Sequence, residues 1–311
     1  MRDDAPSRMR VQRLRAAKLA LLLSLLLSLL LLLALAGCAS APPLPPRAVA
    51  LNAAGADALA RGDLATAEAR LSVALEYSPR FVEAWVNLGY VELRRGNFEQ
   101  ARRDFEQARA LNPDVPAPHH ALGLLAEHEG DGAQAERDYR AALKVDPGFA
   151  PSRANLARRL FARAQWENAR EQYERLVAVA PDAIEGWCGE VEALLRLERG
   201  AQADEVLARA TERFGDVPAL RLLLARALMR RAEWSDAEAT LAAIAGGPDR
   251  SRAAAAWAWI AMARIGGGDG QGAIEAARAS LALDRDQEVA RYALELALNE
   301  GTGTPSQRAP R

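Results

Sequence analysis

An alanine returns every 34 residues: Ala67, Ala101, Ala135, Ala169, Ala203 and Ala237 keep that spacing without a slip. Four residues after each stands a larger apolar side chain, Leu71, Phe105, Tyr139, Tyr173, Leu207 and Leu241. Twelve residues after each alanine comes Pro79, Pro113, Pro147 or Pro181, then Gly215 and Asp249. A spacing of four nested inside a spacing of 34 is a helical pattern carried by a repeat. Such a chain does not fold around one central core. Each unit is a pair of antiparallel helices that buries its apolar faces only by stacking on its neighbours. Composition agrees, with 50% apolar, 26% charged and only 5% aromatic residues and no alternating strand pattern.

The stretch 82–115 carries Trp85, Leu88, Gly89, Ala101, Phe105, Ala108 and Pro113, and in these residues the chain resembles the tetratricopeptide repeat. The resemblance implies an all-α, right-handed solenoid of about seven helix-turn-helix units. The array is expected over 48–285, in units of about 48–81, 82–115, 116–149, 150–183, 184–217, 218–251 and 254–285. In each unit a first helix brings a large residue such as Trp85 toward the second. A small residue at Gly55, Gly89, Gly123 or Ala157 lets the two backbones approach. Val191 and Ala225 hold that place later, and His119, Arg153 and Arg221 replace the aromatic residue in three units. The turn between helices is expected near Gly62, Gly96, Gly130, Ala164, Gly200 and Ala232. Phe98, Trp166 and Trp234, at the start of the second helices, are expected to be core. Residues 286–299 read as an amphipathic capping helix and 300–311 as a disordered tail.

The first residues follow another logic. Arg2, Arg8, Arg10, Arg13, Arg15 and Lys18 precede a leucine-rich run from Leu19 to Ala36, the pattern of an export signal over 1–37. The run closes on Leu35, Ala36, Gly37 and Cys38, which resembles the lipobox of bacterial lipoproteins. That resemblance implies lipidation of the Cys38 sulfur, as by palmitate, and cleavage before it; an uncleaved membrane span is the rival reading. Ala39 is not the aspartate that, by the same resemblance, favours inner-membrane retention. An outer-membrane lipoprotein with its repeats in the periplasm is therefore expected. Pro42, Pro43, Pro45 and Pro46 stiffen the linker over 38–47. Cys188 is then left without a partner for a disulfide and reads as a small core or groove residue.

Catalytic signatures are missing: the sequence holds no phosphate-binding loop, no nucleophile elbow and no paired zinc-binding histidines. His119, His120 and His128 are too far apart along a helix to share one metal ion. Gly266 to Gly270 fall where the other units turn. Without residues 1–37 the chain has 34 basic against 39 acidic side chains, which gives no reason to expect nucleic acid. No cofactor, metal or catalytic residue is expected.

A binding surface remains. In tetratricopeptide arrays the first helices line the concave side, and by resemblance this places Asn52, Asn87, Tyr90, Arg94, His120, Leu124, His128, Asn155, Arg158, Phe161, Glu192, Arg196, Arg226, Met229, Arg230 and Trp259 there. Asn87 and Asn155 are candidates to bond the backbone of an extended segment, and Tyr90, Phe161 and Trp259 to anchor apolar side chains. Arg158, Arg196, Arg226 and Arg230 crowd the later units, so an acidic and apolar protein segment is the expected ligand. The resemblance implies a lipid-anchored scaffold without catalytic activity, similar to tetratricopeptide lipoproteins of type IV and tight-adherence pilus or secretin biogenesis, or to adaptors of cell-wall enzymes. An enzyme or small-molecule binder using the concave groove is the alternative of another class.

Overall fold

The computed structural model describes residues 43–300, together with Ser24. The remainder of the expected signal peptide, Cys38 with its linker as far as residue 42, and the tail from 301 lie outside the described residues. The described residues form helices only. These are α1 (Pro46–Ala60), α2 (Leu64–Tyr77), α3 (Val82–Arg95), α4 (Phe98–Leu111), α5 (Pro116–His128), α6 (Gly132–Val145), α7 (Ala150–Ala162) and α8 (Trp166–Val179). They continue as α9 (Ile184–Arg196), α10 (Gly200–Phe214), α11 (Pro218–Arg230), α12 (Trp234–Ala245), α13 (Arg250–Gly266), α14 (Gly270–Leu283) and α15 (Glu288–Glu300). Consecutive helices pack as pairs, each first helix also meets the second helix of the preceding pair, and α15 lies against both α13 and α14.

Three local devices repeat. Every pair turns through a left-handed residue: Gly62, Gly96, Gly130, Ala164, Glu198, Ala232 and Gly268 have φ between 56° and 83°. In the fifth unit this residue is Glu198, not Gly200 as the sequence suggested; Gly200 opens α10 instead. Asp63, Asp131 and Asp269 cap the helices that follow the turn by accepting from Thr66, Gln134 and Gly272 amides. The third device accounts for His119 and Arg153 at the aromatic position, whereas Arg221 donates to the Asp216 carboxylate. Trp85 Nε1 donates to the Pro79 carbonyl at 2.9 Å and Trp187 Nε1 to that of Pro181 at 2.9 Å. His119 Nε2 lies 3.1 Å from the Pro113 carbonyl, and Arg153 donates to Pro147. The common requirement is an N–H donor that satisfies the connecting carbonyl, which tryptophan, histidine and arginine all meet.

Inside a unit the helices touch closely. A Cβ added at Gly89 would lie 2.4 Å from the Phe105 ring, and one at Gly123 2.6 Å from that of Tyr139. The pattern changes at α9. Val191 stands at the equivalent position, and the close approach occurs at Gly189, where a Cβ would lie 2.4 Å from Tyr173 of the preceding unit. One turn earlier Gly186 would meet Leu176 and Val177 at 3.2 Å. α9 is therefore seated on α8 through two glycines. Phe98, Trp166 and Trp234 are not core: Phe98 is 36% exposed and the two tryptophans are half-buried. Each is the first residue of its helix. Phe98 stacks on His128, and Trp234 lies over Gly266.

Candidate partner-binding groove

Three clefts follow the first helices. One of about 450 Å³ lies among α1, α3 and α5 and is lined by Leu59, Asn87, Tyr90, Arg94, Leu124 and His128. The widest, about 850 Å³, opens where the ends of α7 and α9 face each other across Trp166, between Phe161, Leu195 and Arg196. The third, about 410 Å³, is walled by Met229, Trp234, Trp259 and Met262, with Arg226 and Arg230 beside them. Asn52, His120, Asn155, Arg158 and Glu192 do not line these clefts.

Much of the polar chemistry expected of the groove is spent within the stack. Asn52 is buried and accepts a 2.9 Å bond from Asn87 Nδ2, so this pair ties unit one to unit two and engages one N–H of the Asn87 amide within the stack. Arg94 donates to the Leu59 carbonyl at 2.7 Å, a second donor to a carbonyl in the last turn of α1 that also accepts from the Gly62 amide. Tyr90 packs edge-on against Phe105 with centroids 5.3 Å apart, and burial raises its phenol pKa. His120 is buried, 3.0 Å from Ser152 Oγ, and desolvation lowers its pKa to about 4, which keeps it neutral near pH 7. Asn155 is half-buried and makes no side-chain hydrogen bond among the described residues.

The expected basic wall is corrected in the same way. Arg158 pairs with Glu127 at 3.1 Å, Arg226 with Glu192 at 2.8 Å and Arg230 with Asp204 at 3.1 Å. Arg226 also lies 5.1 Å over the Trp259 ring. These charges are neutralised by the neighbouring unit or helix, leaving Arg196 as the guanidinium that lines a cleft without an acceptor among the described residues. Trp166 and Trp234 were assigned elsewhere by sequence, yet both line clefts. Their place at the first position of a second helix, beside the turn, was the available signal.

The nucleophilic and metal-binding possibilities are equally local. Cys188 is half-buried, and desolvation pushes its thiol up to about 11, away from a reactive thiolate. Gly268 makes the left-handed turn and Asp269 caps α14. Among the described residues no three His, Cys, Asp or Glu side chains are grouped to hold a metal ion.

The tetratricopeptide repeat family matches residues 58–125 and 126–187. The type IV pilus assembly protein PilF of Pseudomonas aeruginosa is 28% identical over 157 residues, 49% of this chain and 61% of that protein. The chain thus spans less than two thirds of that relative's length. Among solved structures, a tetratricopeptide repeat protein from Parabacteroides merdae superposes with a TM-score of 0.57 at 15% identity, over 82% of this chain and 100% of the other. PilW, a type IV pilus biogenesis factor, does so with a TM-score of 0.55 at 17% identity, over 68% of this chain and 98% of its own. At such identities the structural likeness establishes the fold. Helix pairs in a 34-residue register, a turn of constant hand and these matches together show tetratricopeptide repeats over residues 58–187 and, for the described residues, the all-α solenoid fold of such repeats.

Proposed function

We propose that this protein is a lipid-anchored scaffold of the bacterial cell envelope that binds a segment of another protein during envelope assembly, such as pilus or secretin biogenesis, and catalyses nothing. The observation that carries this reading is the succession of three clefts along the first helices, with aromatic, leucine and methionine walls. The likeness to PilF and PilW supports the assembly class. The position of Cys38 at the end of an apolar run supports the anchor and an outer-membrane, periplasm-facing location. Binding rather than chemistry is supported by a neutral buried His120, a protonated Cys188 and arginines already engaged.

Two experiments test it. Photo-crosslinking residues placed at Tyr90 and at Met229, in cells, should capture components of an envelope assembly, identified by mass spectrometry. Recovery of nothing but lipoprotein-processing enzymes from both positions would overturn the scaffold reading. Cys38→Ser should abolish incorporation of radioactive palmitate, and label persisting in that variant would remove the anchor.

A further inference from the structure

The cleft between α7 and α9 differs from the other two in how it is made and in what it leaves unpaired. Gly186 and Gly189 seat α9 on α8, and the 850 Å³ cleft lies on the first-helix side of this junction. Its walls are Phe161, Trp166 and Leu195, each half-buried, so apolar surface is presented rather than sealed. Arg196 extends the Leu195 wall. It donates to no acceptor among the described residues, and its Nε is shut off from solvent with no partner. The other guanidiniums at the clefts, Arg94, Arg226 and Arg230, all have acceptors within the chain. Half-burial without an acceptor leaves the hydrogen-bonding capacity of Arg196 unmet, and a guanidinium is the group best shaped to grip a carboxylate. Glu198 is the one acidic side chain among the lining residues, and it disfavours a run of carboxylates.

We propose that this cleft is the primary anchor of the groove and takes a peptide segment with one carboxylate beside one large apolar side chain, the carboxylate on Arg196 and the apolar group among Phe161, Trp166 and Leu195. The proposal rests on the scaffold reading and narrows it to one junction and one ligand chemistry. It moves the acidic contact away from Arg158 and Arg226, whose carboxylate partners are already supplied by the fold.

The test uses the full chain in detergent and a dye-labelled octapeptide, blocked at both ends, of glycine and serine with one tryptophan and one glutamate two residues apart. Fluorescence anisotropy should show saturable binding. Glutamate→glutamine in the peptide and Arg196→Gln in the protein should each weaken it roughly tenfold, and the two together no further. Tryptophan→alanine in the peptide should weaken it comparably, while Arg196→Lys should recover part of the loss. Arg196→Gln should melt no lower than wild type, because it removes a guanidinium that bonds to nothing in the chain. Three results would each overturn the proposal: absence of saturable binding, equal affinity for the glutamine peptide, or a lowered melt with equal loss for both peptides. Should Arg196→Gln fail to fold, the two peptides on the wild-type chain still decide. Capture of envelope proteins at Tyr90 or Met229, with the octapeptide ignoring the cleft, would leave the scaffold reading standing and remove this one.

Discussion

Gly89 is where a single hydrogen in place of a methyl group decides how two helices meet. Alanine is the better helix former by about 1 kcal/mol, so propensity alone predicts that Gly89→Ala stabilises α3. The added Cβ would lie 2.4 Å from Phe105, which is fully buried and has no room to retreat. Overpacking of this kind costs about 1–3 kcal/mol, and we expect Gly89→Ala to lower the denaturation midpoint, with Gly89→Leu lower still. A midpoint at or above wild type would mean that the helices do not touch there. Asp104 supplies a test of opposite sign. It is buried, Gln100 donates to its Oδ1 at 2.7 Å, and its Oδ2 has no partner. Desolvation raises its pKa to about 6 against an ordinary value of 3.8. Because the folded state holds the proton more tightly, this group's contribution to stability rises as pH falls through 6 and is complete below about 4. Asp104→Asn should therefore stabilise the protein at pH 7 by about 1–2 kcal/mol and lose that advantage near pH 4. Urea titrations at the two pH values check it, and an equal difference at both would assign the effect to packing.

Between elements, stacking is tied by ion pairs from the end of one first helix to the start of the preceding second helix. Arg95 meets Glu68 at 2.7 Å, Arg163 meets Glu136 at 2.7 Å, Arg231 meets Asp204 at 3.1 Å and Arg264 meets Glu238 at 2.6 Å. At the second junction the polarity is reversed, with Arg102 on the second helix and Glu129 on the following first helix. At the fourth, Leu197 occupies the place facing Arg170, and Arg199 with Glu167, 2.8 Å apart, replaces the pair. Arg102→Glu should repel Glu129, and adding Glu129→Arg should restore the attraction. For side chains 36% and 28% exposed the coupling in a double-mutant cycle should be about 0.2–1 kcal/mol and should shrink in high salt. No coupling at low salt would make the ladder ornamental. Suitable outer controls for the Arg196→Gln substitution are Arg70→Glu and Lys144→Glu, whose side chains are exposed and unpaired among the described residues. This ladder also shows what the sequence conceals. Ala101 and Phe105 were legible because their spacing is set by one helix. The pairs Asn52 with Asn87 and Arg226 with Glu192 join residues 35 and 34 apart, and bonding across one repeat length appears only when every unit is slid onto the next. The candidate groove residues followed from the resemblance to tetratricopeptide arrays, while the hydrogen bonds that already engage them did not. The same limit applies at α9, where moving a glycine from the position of Val191 to Gly189 redirects the helix toward another neighbour, a change that a tally of glycines does not reveal.

At the scale of the whole molecule a stack of this kind has no central core to lose, so damage at one end should stay there. Stability is close to a sum of unit terms and nearest-neighbour terms, which makes the last helix a local closure rather than a global keystone. α15 buries Ala290, Ala293 and Ala297 against the seventh unit, and Ala293 belongs to a cluster that includes Leu241 of α12, Ile260 of α13 and Ala277 of α14. Met229, Trp259 and Met262, which wall the third cleft, pack on that same cluster. A chain ended after Asp286 removes α15 and exposes the alanine-lined face beneath it. Amide exchange in this truncated protein should accelerate in α12, α13 and α14 and stay at the wild-type rate in α1 to α6, whose clusters share no residue with the closing one. Crosslinking at Met229 should fall with it, while crosslinking at Tyr90, in the first cleft, should not. Uniform acceleration across all helices would show that the array melts as one cooperative block. In that event the groove would act as a single site rather than as three clefts whose occupancy can differ.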